Sequence, residues 1–390
     1  LDLVPCPADI EDQDRIGRGS PPPSSELPFH RALYAARPDL RAIVHAHPVS
    51  LVAFSIAGQI PDTRVSADCH AICGRVGFAP YALPASRQLG ERIAETFATG
   101  FDCVVLENHG VVIAGTTLRQ AFERLEALDL CARTILAART LGQERVLSDD
   151  DLNLAITPEA APAALESPRS MDRERELCLT LCAIARRAYD KRLMTSTQGS
   201  LSARLAKDAF LLTPRSVPLD RVESSDLIRV TLDVGDARDV SERGEQDPRE
   251  ALHAALYRAH PELGAVAHGC PPNTAGFGTA GMSLASRTIP ESYILLREPI
   301  GVSFRATIFD PRSVAAVLGP DNPVALIQND GALTLGTDVL DAFDRLEVLE
   351  ATAAALIASR PLGQLAPMND ERIAELRDAF FPKGGFRSGA

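Results

Sequence analysis

No stretch of this 390-residue chain approaches the ~18 uninterrupted apolar residues that a membrane span requires, so no bilayer-crossing helix is expected. Basic runs are missing too. With 40 Lys and Arg against 52 Asp and Glu, the net charge is −12, which argues against a surface that tracks nucleic-acid phosphates. The eight cysteines, at 6, 69, 73, 103, 131, 178, 182 and 270, form no C-x-x-C pair. A chain of this size needs no disulfide staples, so they read as reduced thiols serving as small core residues. The opening residues show no charged segment leading into an apolar one, so no secretion signal is read. A cytoplasmic protein with a small-molecule substrate, and with neither membrane nor nucleic acid as partner, is the expectation.

At 45% apolar and 24% charged residues the composition is that of an ordinary folded protein. The length exceeds what one hydrophobic core usually takes and suits two. Internal repetition supports two. His30-Arg-Ala-Leu-Tyr-Ala-Ala-Arg-Pro-Asp-Leu-Arg-Ala-Ile-Val-His45 is matched by His253-Ala-Ala-Leu-Tyr-Arg-Ala-His-Pro-Glu-Leu-Gly-Ala-Val-Ala-His268, with Leu-Tyr, Pro and Leu at the same offsets. Further on, Ala121-Phe-Glu-Arg-Leu-Glu126 is echoed by Ala342-Phe-Asp-Arg-Leu-Glu347, each preceded by Gly-Thr and followed by Leu-Gly-Gln. Two blocks displaced by 223 and 221 positions indicate a duplicated domain.

The expected boundaries are a first domain at 1–146, a linker at 147–171, a second domain at 172–365 and a frayed tail at 366–390. The linker is acidic and rich in Pro, Ala and Ser. The second domain runs about fifty residues before its match to the first begins. The first domain is therefore expected to lack an opening helix and strands.

Within the first domain, a helix is expected over His30–Ala36, stopping before Pro38. Residues 41–45 form an apolar run that enters His45-Ala46-His47 as a strand. Cys103-Val-Val-Leu ends at Asn108-His109-Gly110 and resumes as Val-Val-Ile-Ala. A long amphipathic helix with Leu118, Ala121, Leu125 and Leu128 on one face follows. The class is mixed α/β.

On a strand, positions i and i+2 share a face, so His45 and His47 can reach one ion. On a helix they would diverge by about 200°. His-x-His alone is a weak signal, and a purely structural role stays open from spacing. His109 adds to it from a strand terminus, where sites gather. Glu26, behind Ser24 and Ser25, stands at a helix entry whose hydroxyls can cap the helix or bind an anion. Three imidazoles with a carboxylate nearby suit a divalent ion, zinc above others, in a site that can open for substrate.

Pro-Ser-Ser-Glu at 23–26, His-x-x-Leu-Tyr-x-x-x-Pro at 30–38, His-x-His at 45–47, Ala-Pro-Tyr at 79–81 and Asn-His-Gly at 108–110 follow one another in order. In these motifs the chain resembles the class II aldolase/adducin family, which includes sugar-phosphate aldolases of the fuculose-phosphate type, epimerases, decarboxylases and the non-catalytic adducin head. The resemblance implies two tandem three-layer α/β/α domains, each with a central, mainly antiparallel sheet, and a fourfold ring of domains that two duplicated chains would imitate as a homodimer. It further implies that His45, His47 and His109 ligate Zn2+ or another divalent metal. Glu26 would be a fourth ligand at rest and then the acid/base. Carbon–carbon cleavage of a sugar phosphate or hydroxy-carbonyl compound leaves an enediolate that a Lewis acid stabilises while a carboxylate handles the proton. Glu rather than Asp at 26 leans towards the aldolases over epimerase or decarboxylase, and a scaffold role is the reading from outside the enzymes.

By the repeat, Arg249 replaces Glu26, Cys270 replaces His47, Asp330 replaces His109, and only His268 is kept. A cation at 249 would repel a bound dication. The second copy therefore reads as degenerate, with residual metal binding by His268, Cys270 and Asp330 chemically open. The family's aldolases bring a tyrosine proton donor from a neighbouring subunit, and the position of His70 in the first copy holds Tyr293 in the second. The resemblance thus implies that Tyr293 is donated to the first domain's site, with His70 as the alternative donor. Ser24 and Ser25 would hold a phosphate. The family's other phosphate turns occur only in altered form, as Gln198-Gly199-Ser200 and Thr213-Pro214-Arg215-Ser216.

Overall fold

The structure is a computed structural model that describes residues 23–154, 172–232 and 247–381. The chain divides into two compact units, one comprising 1–64 with 68–132 and the other 65–67 with 133–390.

In order, the first stretch forms α1 (Leu27–Ala36), β1 (Ala42–Ala46), α2 (Val49–Ile56), α3 (Ala67–Cys73), β2 (Val76–Ala79), α4 (Arg87–Ala98), β3 (Cys103–Leu106), β4 (Val111–Gly115) and α5 (Leu118–Leu141). The four strands make one sheet in the order β1-β4-β3-β2, antiparallel except between β2 and β3. Side chains alternate across it. Val104, Leu106, Val112 and Ala114 face a core made with Phe29 and Leu33 of α1 and Leu89, Ile93 and Phe97 of α4. Val105, Val111 and Ile113, on the other face, are fully buried as well. A sheet buried on both faces explains why these strands read as unbroken apolar runs rather than alternating ones.

The rest of the chain forms α6 (Asp149–Leu154), α7 (Asp172–Asp190), β5 (Ser200–Ala206), β6 (Ala209–Leu212), β7 (Ile228–Thr231), α8 (Pro248–Ala259), β8 (Ala265–Gly269), α9 (Pro272–Ala280), α10 (Pro290–Leu296), β9 (Ile300–Val302), α11 (Phe304–Phe309), α12 (Pro311–Val317), β10 (Val324–Ile327), β11 (Gly331–Gly336), α13 (Val339–Ser359) and α14 (Asp370–Phe380). Its seven-stranded sheet has the order β7-β6-β5-β8-β11-β10-β9. The segment β8-β11-β10-β9 repeats β1-β4-β3-β2, down to the single parallel pair at its end. Three strands, β5 to β7, extend the second sheet and have no counterpart among the described residues of the first. Two cores flank the second sheet. Ala265, Ala267 and Ala332 face α7, α9 and α13, while Val266, Leu333 and Leu335 face α8 and α12. The protein is therefore α/β, with two mostly antiparallel sheets.

Several expectations need correction. Leu118, placed on the buried face of the long helix, is 67% exposed at the first residue of α5, whereas Ala121 and Leu128 further along it are buried. The segment read as a linker begins with an ordered helix, α6, whose Leu152 is buried with Leu147, Ala67 and Phe304. Residues 155–171, its remainder, lie outside the described residues, as do residues 1–22. The tail read as frayed carries α14. Asn369 caps it by accepting from the Arg372 amide at 3.0 Å, and Ile373 is buried. Residues 382–390 lie outside the described residues. No described helix is long and apolar enough to cross a membrane.

His253, the counterpart of His30, is buried in the second unit between Ser200 Oγ, 3.1 Å from Nε2, and Ser202 Oγ, 2.6 Å from Nδ1. Burial, aided by His268 and Arg249, pushes its pKa from 6.5 down to about 3. The unfolded chain thus takes up a proton that the fold refuses. Stability present above pH 6.5 is lost as the pH falls towards 3. This group alone is expected to remove about 2 kcal/mol between pH 7 and pH 5. Urea midpoints across that range should fall in the wild type, and the slope should flatten in His253→Gln; equal slopes would contradict the assignment.

Candidate metal centre

The β1 register sets the first imidazole. His45 lies opposite Val112 of β4, which packs on the α1 side of the sheet, and its ring meets Phe29 of α1 edge-on at 5.2 Å. His47 follows just beyond the strand end at Ala46 and is exposed. The two rings lie 4.6 Å apart, centroid to centroid. His109 arrives from the turn between β3 and β4, its ring 4.9 Å from that of His45 and 5.1 Å from that of His47. One ligand nitrogen of each histidine lies within 4.8 Å of the other two. The expected trio is brought together.

The donor chemistry fits a divalent ion. His45 Nδ1 lies 2.9 Å from the Val111 carbonyl oxygen. Donation there fixes the tautomer and leaves the lone pair on Nε2, which is buried with no hydrogen-bond partner. His109 Nδ1 and Glu26 Oε2 are likewise buried without partners. Burial is the main cause that lowers the pKa of both His45 and His109, and each also feels the neighbouring His47. Both are thus kept in the neutral form that binds metal. Glu26 pulls the other way on both, which places its charge close to the pair. Its carboxylate is not one of the three groups that share the 4.8 Å spacing.

Glu26 is the N-cap of α1, and its amide donates to Ser24 Oγ at 3.3 Å. Ser24 and Ser25 are exposed beside it. His70 sits on α3 with Nδ1 2.9 Å from Thr63 Oγ1, which itself donates to the Gly74 carbonyl. Tyr293, in the second unit, is buried, and its hydroxyl accepts from Arg377 Nε at 2.7 Å. Neither belongs to the histidine group.

Two residues that position the site escaped sequence reasoning. Ser55, buried on α2, accepts from the His109 amide at 2.8 Å and donates to the Leu106 carbonyl at 2.6 Å, pinning the turn at both ends. Nothing in Leu-Val-Ala-Phe-Ser marks it. Gly110 permits close approach: a Cβ there would stand 2.6 Å from His47 Cδ2 and 2.7 Å from the Ala46 carbonyl oxygen. The glycine of Asn-His-Gly was visible, but its contact with His47 was not. Gly110→Ala is expected to displace His47 and weaken zinc binding about 10- to 100-fold, the range seen when a ligand's support is lost. Competition against a chromogenic chelator measures this, and unchanged affinity would show that the ring is held elsewhere.

In the second unit the corresponding positions are occupied differently. Arg249 pairs with Asp247 through Nε and Nη2, at 3.1 and 2.8 Å from Oδ2. His268, Cys270 and Asp330 come together as a mixed group within the same 4.8 Å spacing.

Comparison with known proteins bears on both halves of the chain. The Class II Aldolase and Adducin N-terminal domain matches residues 2–136 and again 179–357. A 3-oxo-tetronate 4-phosphate decarboxylase of Pectobacterium atrosepticum is 33% identical over 136 residues, 33% of this chain and 61% of that protein. An L-fuculose phosphate aldolase of Methanococcus maripaludis is 28% identical over 138 residues, 35% of this chain and 72% of the relative. The chain thus spans less than two thirds of the decarboxylase's length. Among solved structures, an aldolase II superfamily protein from Pseudomonas syringae aligns at 25% identity with a TM-score of 0.46, over 54% of this chain and 86% of that one. Because the family match recurs across both halves, this chain belongs to the class II aldolase and adducin family.

Proposed function

We propose that the chain is a metal-dependent carbon–carbon lyase of aldolase type, acting on a small sugar phosphate or hydroxy-carbonyl compound, with its working site in the first unit. The observation that carries this is the convergence of His45, His47 and His109 near Glu26, whose Oε2 is buried without a hydrogen-bond partner. His45, His47 and His109 would hold a zinc ion, which would supply Lewis-acid stabilisation for negative charge on substrate oxygen. Glu26 takes up and returns the substrate proton at its carboxylate. Ser24 and Ser25, exposed next to the amides that open α1, hold the substrate's phosphate. Burial of His45 and His109 keeps their rings neutral and fixed, so the site is organised before substrate arrives.

Two chains, each with two family domains, would form a homodimer that imitates a ring of four. In that assembly Tyr293, whose hydroxyl accepts from Arg377 and so keeps its own proton, would serve the first unit's site as proton donor. Tyr293→Phe then lowers turnover and leaves zinc content unchanged; unchanged turnover would return the role to His70 or to solvent.

Decarboxylation is the second reading, favoured by the 33% identity to a 3-oxo-tetronate 4-phosphate decarboxylase. Incubating the zinc-loaded chain with ketose phosphates and with oxo- and hydroxy-acid phosphates, and assaying both aldehyde and carbon dioxide, separates the two. Aldehyde release that stops with chelator and returns with zinc is the expected result. Carbon dioxide instead would make it a decarboxylase, and neither product from the zinc-loaded chain would point to a scaffold.

A further inference from the structure

We propose that His268, Cys270 and Asp330 form a second divalent-metal site, chemically unlike the imidazole site of the first unit and suited to zinc or another thiophilic ion. It goes beyond the proposed lyase reading and does not depend on it.

The three donors come from two segments pressed together by the sheet. β8 delivers His268, opposite Leu333 of β11, and Cys270 follows the strand with its amide donating to the Leu193 carbonyl at 3.1 Å. Asp330 stands in the tight turn between β10 and β11. Asn329 before it is left-handed, with φ 60°, and donates from Nδ2 to the Arg145 carbonyl at 2.8 Å. Gly331 after it, also left-handed, lies so near β8 that a Cβ would meet the Gly269 carbonyl oxygen at 2.2 Å and Cys270 Cα at 2.8 Å. Only glycine lets the turn come this close. The Asp330 carboxylate is thereby held against His268, with Oδ2 3.4 Å from Nε2.

The ring is 5% exposed. Its Nε2 lies 2.9 Å from the Asp330 carbonyl oxygen, and its Nδ1 is buried with no hydrogen-bond partner. A buried imidazole, a thiol and a carboxylate, each with one ligand atom within 4.8 Å of the other two, match the nitrogen, sulfur and oxygen donors that zinc accepts.

Charge explains why this set works without the carboxylate that the first unit has. A thiolate and a carboxylate contribute two negative charges with a neutral imidazole, which balances a dication. The first unit offers three neutral rings and one carboxylate. Arg249, the apparent obstacle, is occupied by its two-pronged pair with Asp247, so its charge is locally cancelled. Binding expels the Cys270 thiol proton to solvent, with no change in oxidation state. Because a cation replaces the Glu26 equivalent, the second site carries no base for proton transfer. It binds metal without sharing the first site's chemistry.

The test loads the metal-free full chain with zinc alone, removes excess by gel filtration and counts metal per chain. Two ions are expected in the wild type and one in Cys270→Ser. Cobalt loading should add a near-ultraviolet thiolate-to-cobalt charge-transfer band that His109→Ala keeps and Cys270→Ser loses. Asp330→Asn, which keeps the turn, should weaken the band's titration at least tenfold. A wild-type chain with no such band, or a band that survives Cys270→Ser, overturns the proposal. Failure of the imidazole site alone would instead lower the count without touching the band.

Discussion

Glu26→Gln is expected to lower kcat on the cleaved substrate by about 10²- to 10⁴-fold, the contribution of a positioned general acid or base. Glutamine keeps the size and shape of the side chain but cannot take up a proton. Its backbone role survives, since the amide at 26 still donates to Ser24 Oγ and still opens α1. The zinc should stay, because the three histidine nitrogens share their spacing without help from position 26. Steady-state kinetics with metal analysis on the same sample checks both parts. A kcat within about threefold of wild type would remove Glu26 from the chemistry, and loss of zinc would make it chiefly a ligand.

The second large effect is on metal. His109→Ala removes one of three nitrogens and leaves His45 on β1 and His47 just beyond its end to hold the ion alone. Since losing only a supporting contact costs about 10- to 100-fold, losing a ligand outright should cost more than 100-fold in zinc affinity. The fold should not collapse, because the β3–β4 turn keeps the Leu106 amide bonded to the Gly110 carbonyl and the Ser55 hydroxyl bonded to the Leu106 carbonyl and to the amide at 109. What disappears is the stabilisation by the ion bound at this site. At free zinc about 100 times the dissociation constant, this is about 2.7 kcal/mol. Thermal melts with and without zinc measure it directly. A wild-type gain that persists undiminished in His109→Ala would show that the ion sits elsewhere.

Much of this was legible in the sequence because the signals were local. Pro38 ends α1 one residue after its C-cap at Arg37, as a proline there must. The pair at 45 and 47 works only on an extended backbone, and β1 supplies it up to Ala46. The repeat anticipated that one sheet would echo another, and β8-β11-β10-β9 does echo β1-β4-β3-β2. What stayed hidden depends on neighbours distant in sequence. Ser55 holds the His109 turn from a helix more than fifty residues away, and its own surroundings in the chain are plain apolar residues. Leu118 matched the helical period but precedes the stretch that packs, so periodicity alone assigned it to the wrong side. The helix at 370–380 looked like a tail because its packing rests on a single buried Ile373 and on Arg377 reaching Tyr293, contacts that composition cannot register.

The most direct test is zinc X-ray absorption on Cys270→Ser, in which the mixed site of the second unit is removed and the remaining ion reports on the first. Three imidazole nitrogens at about 2.0–2.1 Å, falling to two in the double variant with His109→Ala, is the predicted spectrum. A zinc shell without imidazole scattering, or one that His109→Ala leaves unchanged, would contradict a metal centre built by His45, His47 and His109.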